Sequence, residues 1–157
     1  MKEFIDASVF LGMNSKNEKI RISCKNYFVS RLKSCKKILI SLEQVGMCDN
    51  IIWKFPRQKQ DEYYPFMDNL HTLMKMKRLA YNQKDFLEDE KQPSSLNFTE
   101  KMTLGMVLSR KGILYTINPK LLGLKLSFIK SPKLENVEFS FPNKLEALYR
   151  RSLVLRI

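Results

Sequence analysis

Apolar and polar positions along this chain switch between a strand-like and a helix-like period, and the switches divide it into elements. Phe4-Ile5-Asp6 reads as the end of a first strand, after which small Ala7-Ser8 and apolar Val9-Phe10-Leu11 let the chain turn before Gly12. Asn14 to Glu18 is a polar connection, and Ile20, Cys24, Tyr27, Phe28 and Leu32 recur at helical spacing. The run Ile38-Leu39-Ile40 predicts a second buried strand. Ser41 then offers an N-cap to a helix over Leu42 to Phe55, stopped by Pro56, with Glu43 in its first turn. Arg57 to Gln60 reads as a charged link and Asp61 to Tyr81 as mostly helical, with Pro65 marking a start or break near its beginning. Asp85 to Lys91 is acidic and Gln92-Pro93-Ser94-Ser95 is turn-like, so this segment is expected to cross the surface.

The stretch from Asn97 to Leu122 organises the rest. Asn97 can cap a helix whose apolar positions include Phe98, Met102, Met106 and Leu108, and Gly112 falls where a left-handed residue usually ends one. Ile113 to Thr116 follows as a short buried strand. About twelve helical residues run ~18 Å one way and about five strand residues return ~16 Å, so Glu100 and Asn118 meet at one edge. Alternating strands and helices predict an α/β fold with a parallel sheet and right-handed crossovers, which brings Asp6 and Glu43 to the same carboxyl edge. Beyond Gly123, Leu124 to Ile129 is an edge-strand candidate, and Ser131-Pro132 breaks the pattern. Val137 to Phe141 reads as a strand or extended arm, and Asn143 to Leu155 as a helix with Lys144, Arg150 and Arg151 on its polar face. One domain over residues 1–157 is expected, with residues 131–157 as a C-terminal strand and helix extension.

Charge adds a partner class. Lys and Arg number 28 against 16 Asp and Glu, a formal net charge of +12, which favours a polyanionic partner. Cys24, Cys35 and Cys48 have no CxxC spacing and His71 is the single histidine, which argues against a zinc site and a disulfide framework. No stretch approaches the ~18 apolar residues of a membrane span, so a cytoplasmic protein is expected.

Three acids and an amide converging on one edge of a basic chain suit a hard divalent cation. Mg²⁺ or Mn²⁺ takes oxygen ligands, keeps several waters and uses one or two carboxylates beside phosphate oxygens. Such an ion can orient and acidify a water for in-line attack on a phosphodiester.

These residues also resemble a known family. Phe4-Ile5-Asp6-Ala7-Ser8 is similar to the strand-end acid and small polar residue that open PIN-domain ribonucleases. Ile38-Leu39-Ile40-Ser41-Leu42-Glu43 resembles their second acidic position. Glu100, its helix, Gly112 and Leu114-Tyr115-Thr116-Ile117-Asn118 resemble the third acid and the closing strand. The resemblance implies a three-layer α/β/α sandwich and metal-dependent cleavage of RNA, as in VapC-type toxins and ribosomal-RNA processing nucleases. It assigns Asp6, Glu43, Glu100 and Asn118 as catalytic residues and Mg²⁺ or Mn²⁺ ligands, with Ser8 and Thr116 in support. It further implies a homodimer and an antitoxin-like protein partner. Asn118 is neutral where the family commonly has an acid, and the alternative is a PIN-like nucleic-acid-binding or regulatory module without catalysis.

Each residue also has a structural reading. Glu100 stands three residues after Asn97, the spacing of a capping box, and Glu43 in a first turn complements the helix dipole. Asn118 before Pro119 is an ordinary turn residue, whereas Asp6 at the end of an apolar strand is costly to bury without a partner. His71 lies in an apolar helical pattern, and no Ser or Cys has a partner histidine at a motif spacing, so a nucleophilic hydrolase has little support.

Overall fold

The computed structural model describes residues 1–89 and 92–157. β1 (Glu3–Ile5) leads into α1 (Ala7–Gly12) and α2 (Glu18–Lys33), then β2 (Ile38–Ser41), α3 (Leu42–Ile52) and α4 (Arg57–Met74). β3 (Lys77–Leu79), α5 (Gln83–Asp89), α6 (Phe98–Ser109), β4 (Ile113–Tyr115), α7 (Pro119–Leu122), β5 (Ile129–Lys130) and α8 (Lys144–Ser152) complete the chain. The five strands form one all-parallel sheet in the order β3-β2-β1-β4-β5, with Phe4 opposite both Leu39 and Leu114. Helices cover both faces, giving the three-layer α/β/α sandwich. Strand order turns back between β1 and β4, and there the crossovers leave a crevice outside the strand ends.

Alternation along β1 separates two cores. Ile5 points with Ile38 and Ile40 into the larger one, packed with Phe10, Phe28, Phe66, Leu70 and Tyr149 from the helices. Phe4 points the other way, with Leu104, Val107 and Leu114. Gly112 admits the Phe4 ring, because a Cβ there would lie 2.5 Å from its Cε2. The left-handed residue that ends α6 is Lys111 (φ 52°), one residue before the expected Gly112.

Other expectations also shift. Asp6 accepts a hydrogen bond from Ser8 N and so caps α1, a helix where a tight turn was read. α4 begins at Arg57 within the expected link, and Pro65 lies inside it. Met76 to Leu79, read as helix, contains the edge strand β3, whose Lys77 and Arg78 are exposed and give no buried period. The fifth strand is Ile129–Lys130, later and shorter than Leu124 to Ile129. The acidic crossing is helical over Gln83–Asp89, and its last residues, Glu90 and Lys91, lie outside the described residues.

Val137 to Phe141 forms no strand. It is an arm held by Asn26, whose amide donates to Val137 O (2.7 Å) and accepts from Phe139 N (2.8 Å). Buried Lys25 fastens the arm and α8 together, donating to Glu138 and Glu146 at 2.7 Å each. No described helix is long and apolar enough to cross a membrane.

Candidate functional site

Four helices begin at the carboxyl edge, and their caps build the site. Asp6 ends β1 with its carboxylate almost wholly buried, 5% exposed as a residue. Oδ1 accepts from Ser8 N (3.0 Å) and from Ser8 Oγ, while Oδ2 accepts from Thr116 Oγ1. Ser8 Oγ in turn accepts from Ile117 N at 3.0 Å, which ties β1 to the end of β4 across the crevice. Burial raises the Asp6 pKa above its usual 3.8, and the Ser8 and Thr116 hydrogen bonds oppose that rise.

Glu100 stands at the third position of α6 and completes a capping box. Its amide donates to Asn97 Oδ1 (2.8 Å), and its Oε2 accepts from Asn97 N (2.9 Å). The remaining oxygen, Oε1, accepts from Asn118 Nδ2 at 3.2 Å. Asn118 Oδ1 caps α7 through Lys120 N at 3.0 Å. Asp6, Glu100, Asn118 and Ser8 therefore share the wall of one cavity of about 160 Å³, together with Gln44, Asn97 and Thr103. Thr116 holds Asp6 from behind and is fully buried.

Glu43 does not line that cavity. Its carboxylate accepts from Tyr81 Oη and from Thr99 Oγ1 (3.2 Å), beside the opening. Burial, and then the Glu43 carboxylate, push the Tyr81 phenol up to about 12, so it stays a donor to Glu43 at neutral pH. The residue presented instead is Gln44, whose Oε1 accepts from Ala7 N (2.8 Å) and whose Nε2 donates to Thr103 Oγ1 (3.1 Å).

Sequence reasoning passed over Gln44 because it followed the acid. A usable signal was present: Ser41 to Gln44 has the same cap-to-third-residue spacing as Asn97 to Glu100. Both third residues line the cavity, whereas the neighbouring position is turned by about 100°.

The chain belongs to the family of unknown function DUF6190. The match covers residues 1–157, so the whole sandwich, cavity included, is the DUF6190 unit. No curated protein matches the sequence.

The donor set decides what this DUF6190 cavity can hold. It contains two carboxylates, Asp6 and Glu100, and three amides, Gln44, Asn97 and Asn118. All four carboxylate oxygens and all three amide oxygens already accept a hydrogen bond from the protein. Among the described residues no three His, Cys, Asp or Glu side chains are grouped to hold a metal ion. A two-metal centre, which leans on several unspent carboxylates, does not fit these residues.

Proposed function

We propose that the chain is a PIN-like RNA-binding module whose carboxyl-edge cavity does not catalyse hydrolysis. The observation that carries this reading is the placement of Gln44, with Glu43 turned outside: the cavity wall has an amide where metal chemistry wants an acid. With Asn118 also neutral, two carboxylates are left, and their oxygens act as helix-cap and strand-end acceptors. The +12 charge favours a polyanionic partner, and the PIN-like resemblance makes RNA the class chosen among polyanions.

A second reading keeps the nuclease. Asp6 and Glu100 share one cavity at the reversal of strand order, and Mg²⁺ or Mn²⁺ sites often use one or two carboxylates beside substrate phosphate. The toxin-antitoxin role, with an antitoxin-like partner and a homodimer, belongs to this second reading and stands or falls with cleavage.

Incubating the protein with labelled single-stranded RNA and Mn²⁺ separates the two. The module retains full-length RNA and shifts its mobility in a native gel. Metal-dependent cleavage that disappears in Asp6→Ala establishes the nuclease instead.

A further inference from the structure

Basic residues gather at the other edge of the sheet, where the strands begin. α2, α4 and α6 each close on a left-handed residue, Cys35 (φ 51°), Lys75 (φ 48°) and Lys111 (φ 52°). Each closure is sealed alike: Lys36 N donates to Arg31 O (3.0 Å), Met76 N to His71 O (3.2 Å) and Gly112 N to Val107 O (2.9 Å). The chain then enters β2, β3 and β4, so these turns line up along the amino edge, with Lys2 ahead of β1.

Glycine is the usual occupant of a left-handed closure, because a Cβ there is penalised. Lysine stands at two of the three, exposed and contributing nothing to the cores. The bland account is that a cation near a helix C-terminus complements its dipole. That covers Lys75 and Lys111. It does not cover Lys2, Lys37 or Lys77, which precede or lie in strands.

Two depressions of about 490 and 230 Å³ adjoin here and share Lys36 and Lys37. Lys2 and Lys77 line the first, Arg31 and Lys75 the second, and neither has an acidic residue in its wall. Glu3 is buried at the same edge and is already paired with Arg31 (2.9 Å) and Lys36 (2.6 Å). Lys2, Lys37, Lys75 and Lys77 make no ion pair among the described residues. Lys77, Lys37 and Lys2 stand at the starts of three adjacent strands, β3, β2 and β1, a row of ~10 Å at ~4.8 Å spacing.

We propose that this amino-edge trough binds the phosphodiester backbone of single-stranded RNA, on the side of the sheet opposite the cavity. The proposal rests on the RNA-binding reading above and says where the strand lies. Lysine ammoniums are hydrated point charges without the planar fork that reads base edges, so binding is independent of sequence. Two joined depressions admit a chain into a groove, whereas a lipid surface is met by a flat or convex face.

Fluorescence anisotropy with a labelled short oligouridine tests this. Four engaged lysines give a log–log salt slope of about −3, which is about 50-fold weaker binding between roughly 50 and 200 mM salt. Lys37→Glu with Lys77→Glu is expected to lower affinity at least about 30-fold and to halve that slope. Lys101→Glu with Lys120→Glu, at the carboxyl edge, is expected to stay within about twofold, and thermal melts confirm that both variants fold. Loss in the Lys101/Lys120 variant with retention in the Lys37/Lys77 variant overturns the trough while leaving RNA binding intact. Wild-type protein that binds no RNA overturns the underlying reading. Anionic vesicles or polyglutamate competing as well as RNA also overturn the trough's assignment to RNA.

Discussion

Replacing Asp6 by asparagine keeps the shape of the side chain, keeps a cap acceptor for α1 and removes one buried charge. Burial is the dominant influence on this carboxyl and holds its pKa above 3.8. A folded-state pKa above the unfolded value means that the folded protein holds the proton more tightly. The group's contribution is then fullest below about pH 3.8 and declines as pH rises through the folded value. Wherever the pH exceeds the folded value, the ionised form is therefore carried at a cost.

The size of the effect follows from the contacts. Hydrogen bonds to a charged acceptor are worth ~1.5–3 kcal/mol and neutral ones ~0.5–1.5, so weakening three of them loses about 3 kcal/mol. Removing a buried ion recovers several kcal/mol of desolvation. Thr116 Oγ1 can reverse roles and accept from the new amide, and asparagine caps helices as well as aspartate. The upward shift says that desolvation outweighs the bonds, so Asp6→Asn is expected to gain about 1 kcal/mol at neutral pH, or ~2–4 °C in Tm for a chain of this length. Thermal melts of both proteins from about pH 4 to 8 check this, and the gap should shrink toward acid as the wild-type carboxyl takes up its proton. A variant about 2 kcal/mol less stable at neutral pH, with the same deficit at every pH, would mean that the hydrogen bonds outweigh desolvation at Asp6.

Gln44→Glu adds a third carboxylate to the cavity while leaving an acceptor for Ala7 N, and calorimetry should detect micromolar Mn²⁺ binding in this variant that the wild type lacks. Lys25→Met takes the ammonium from Glu138 and Glu146 and should cost about 3 kcal/mol in urea denaturation. Burial works to raise the Glu138 pKa, but Lys25 and Arg21 hold it down at about 2. Its stabilising contribution is thus complete above about pH 4.5 and lost as pH falls toward 2, and Lys25→Met should flatten that acid limb in pH-dependent melts. Gly105→Ala places a Cβ 2.4 Å from Asp85 O and must push α6 off α5, an expected loss of about 2 kcal/mol or more by thermal melt.

The parts of this fold that the sequence declares are those where one local rule acts alone. Ile38 and Ile40 are buried on one side of their strand and Leu39 is half-buried against the second core on the other, so the apolar run is unbroken, and Ser41, Asn97 and Asn118 cap the helices they precede. Asp6 could be placed at the strand end, yet its second role as the α1 cap hid that helix, since one residue serves two elements. β3 escaped notice because an edge strand with exposed Lys77 and Arg78 resembles the polar face of the helix before it. The arm at Val137 to Phe141 has a strand's composition, but its partner is the single Asn26 side chain, a long-range match that no local window contains. In the cavity, Asp6, Glu100 and Asn118 converge as their spacing requires, because each ends or begins an element at the crevice. Glu43 and Gln44 differ by one step of helical rotation, and residue type alone pointed to the wrong one of the two for the cavity wall.

Calorimetric titration of the wild-type protein with Mn²⁺ decides whether the carboxyl-edge cavity holds a metal ion. With Gln44 and Asn118 neutral and the Asp6 and Glu100 oxygens already accepting protein hydrogen bonds, the account predicts no binding heat at millimolar metal. A stoichiometric, micromolar isotherm abolished by Asp6→Asn would contradict it and return the cavity to metal chemistry.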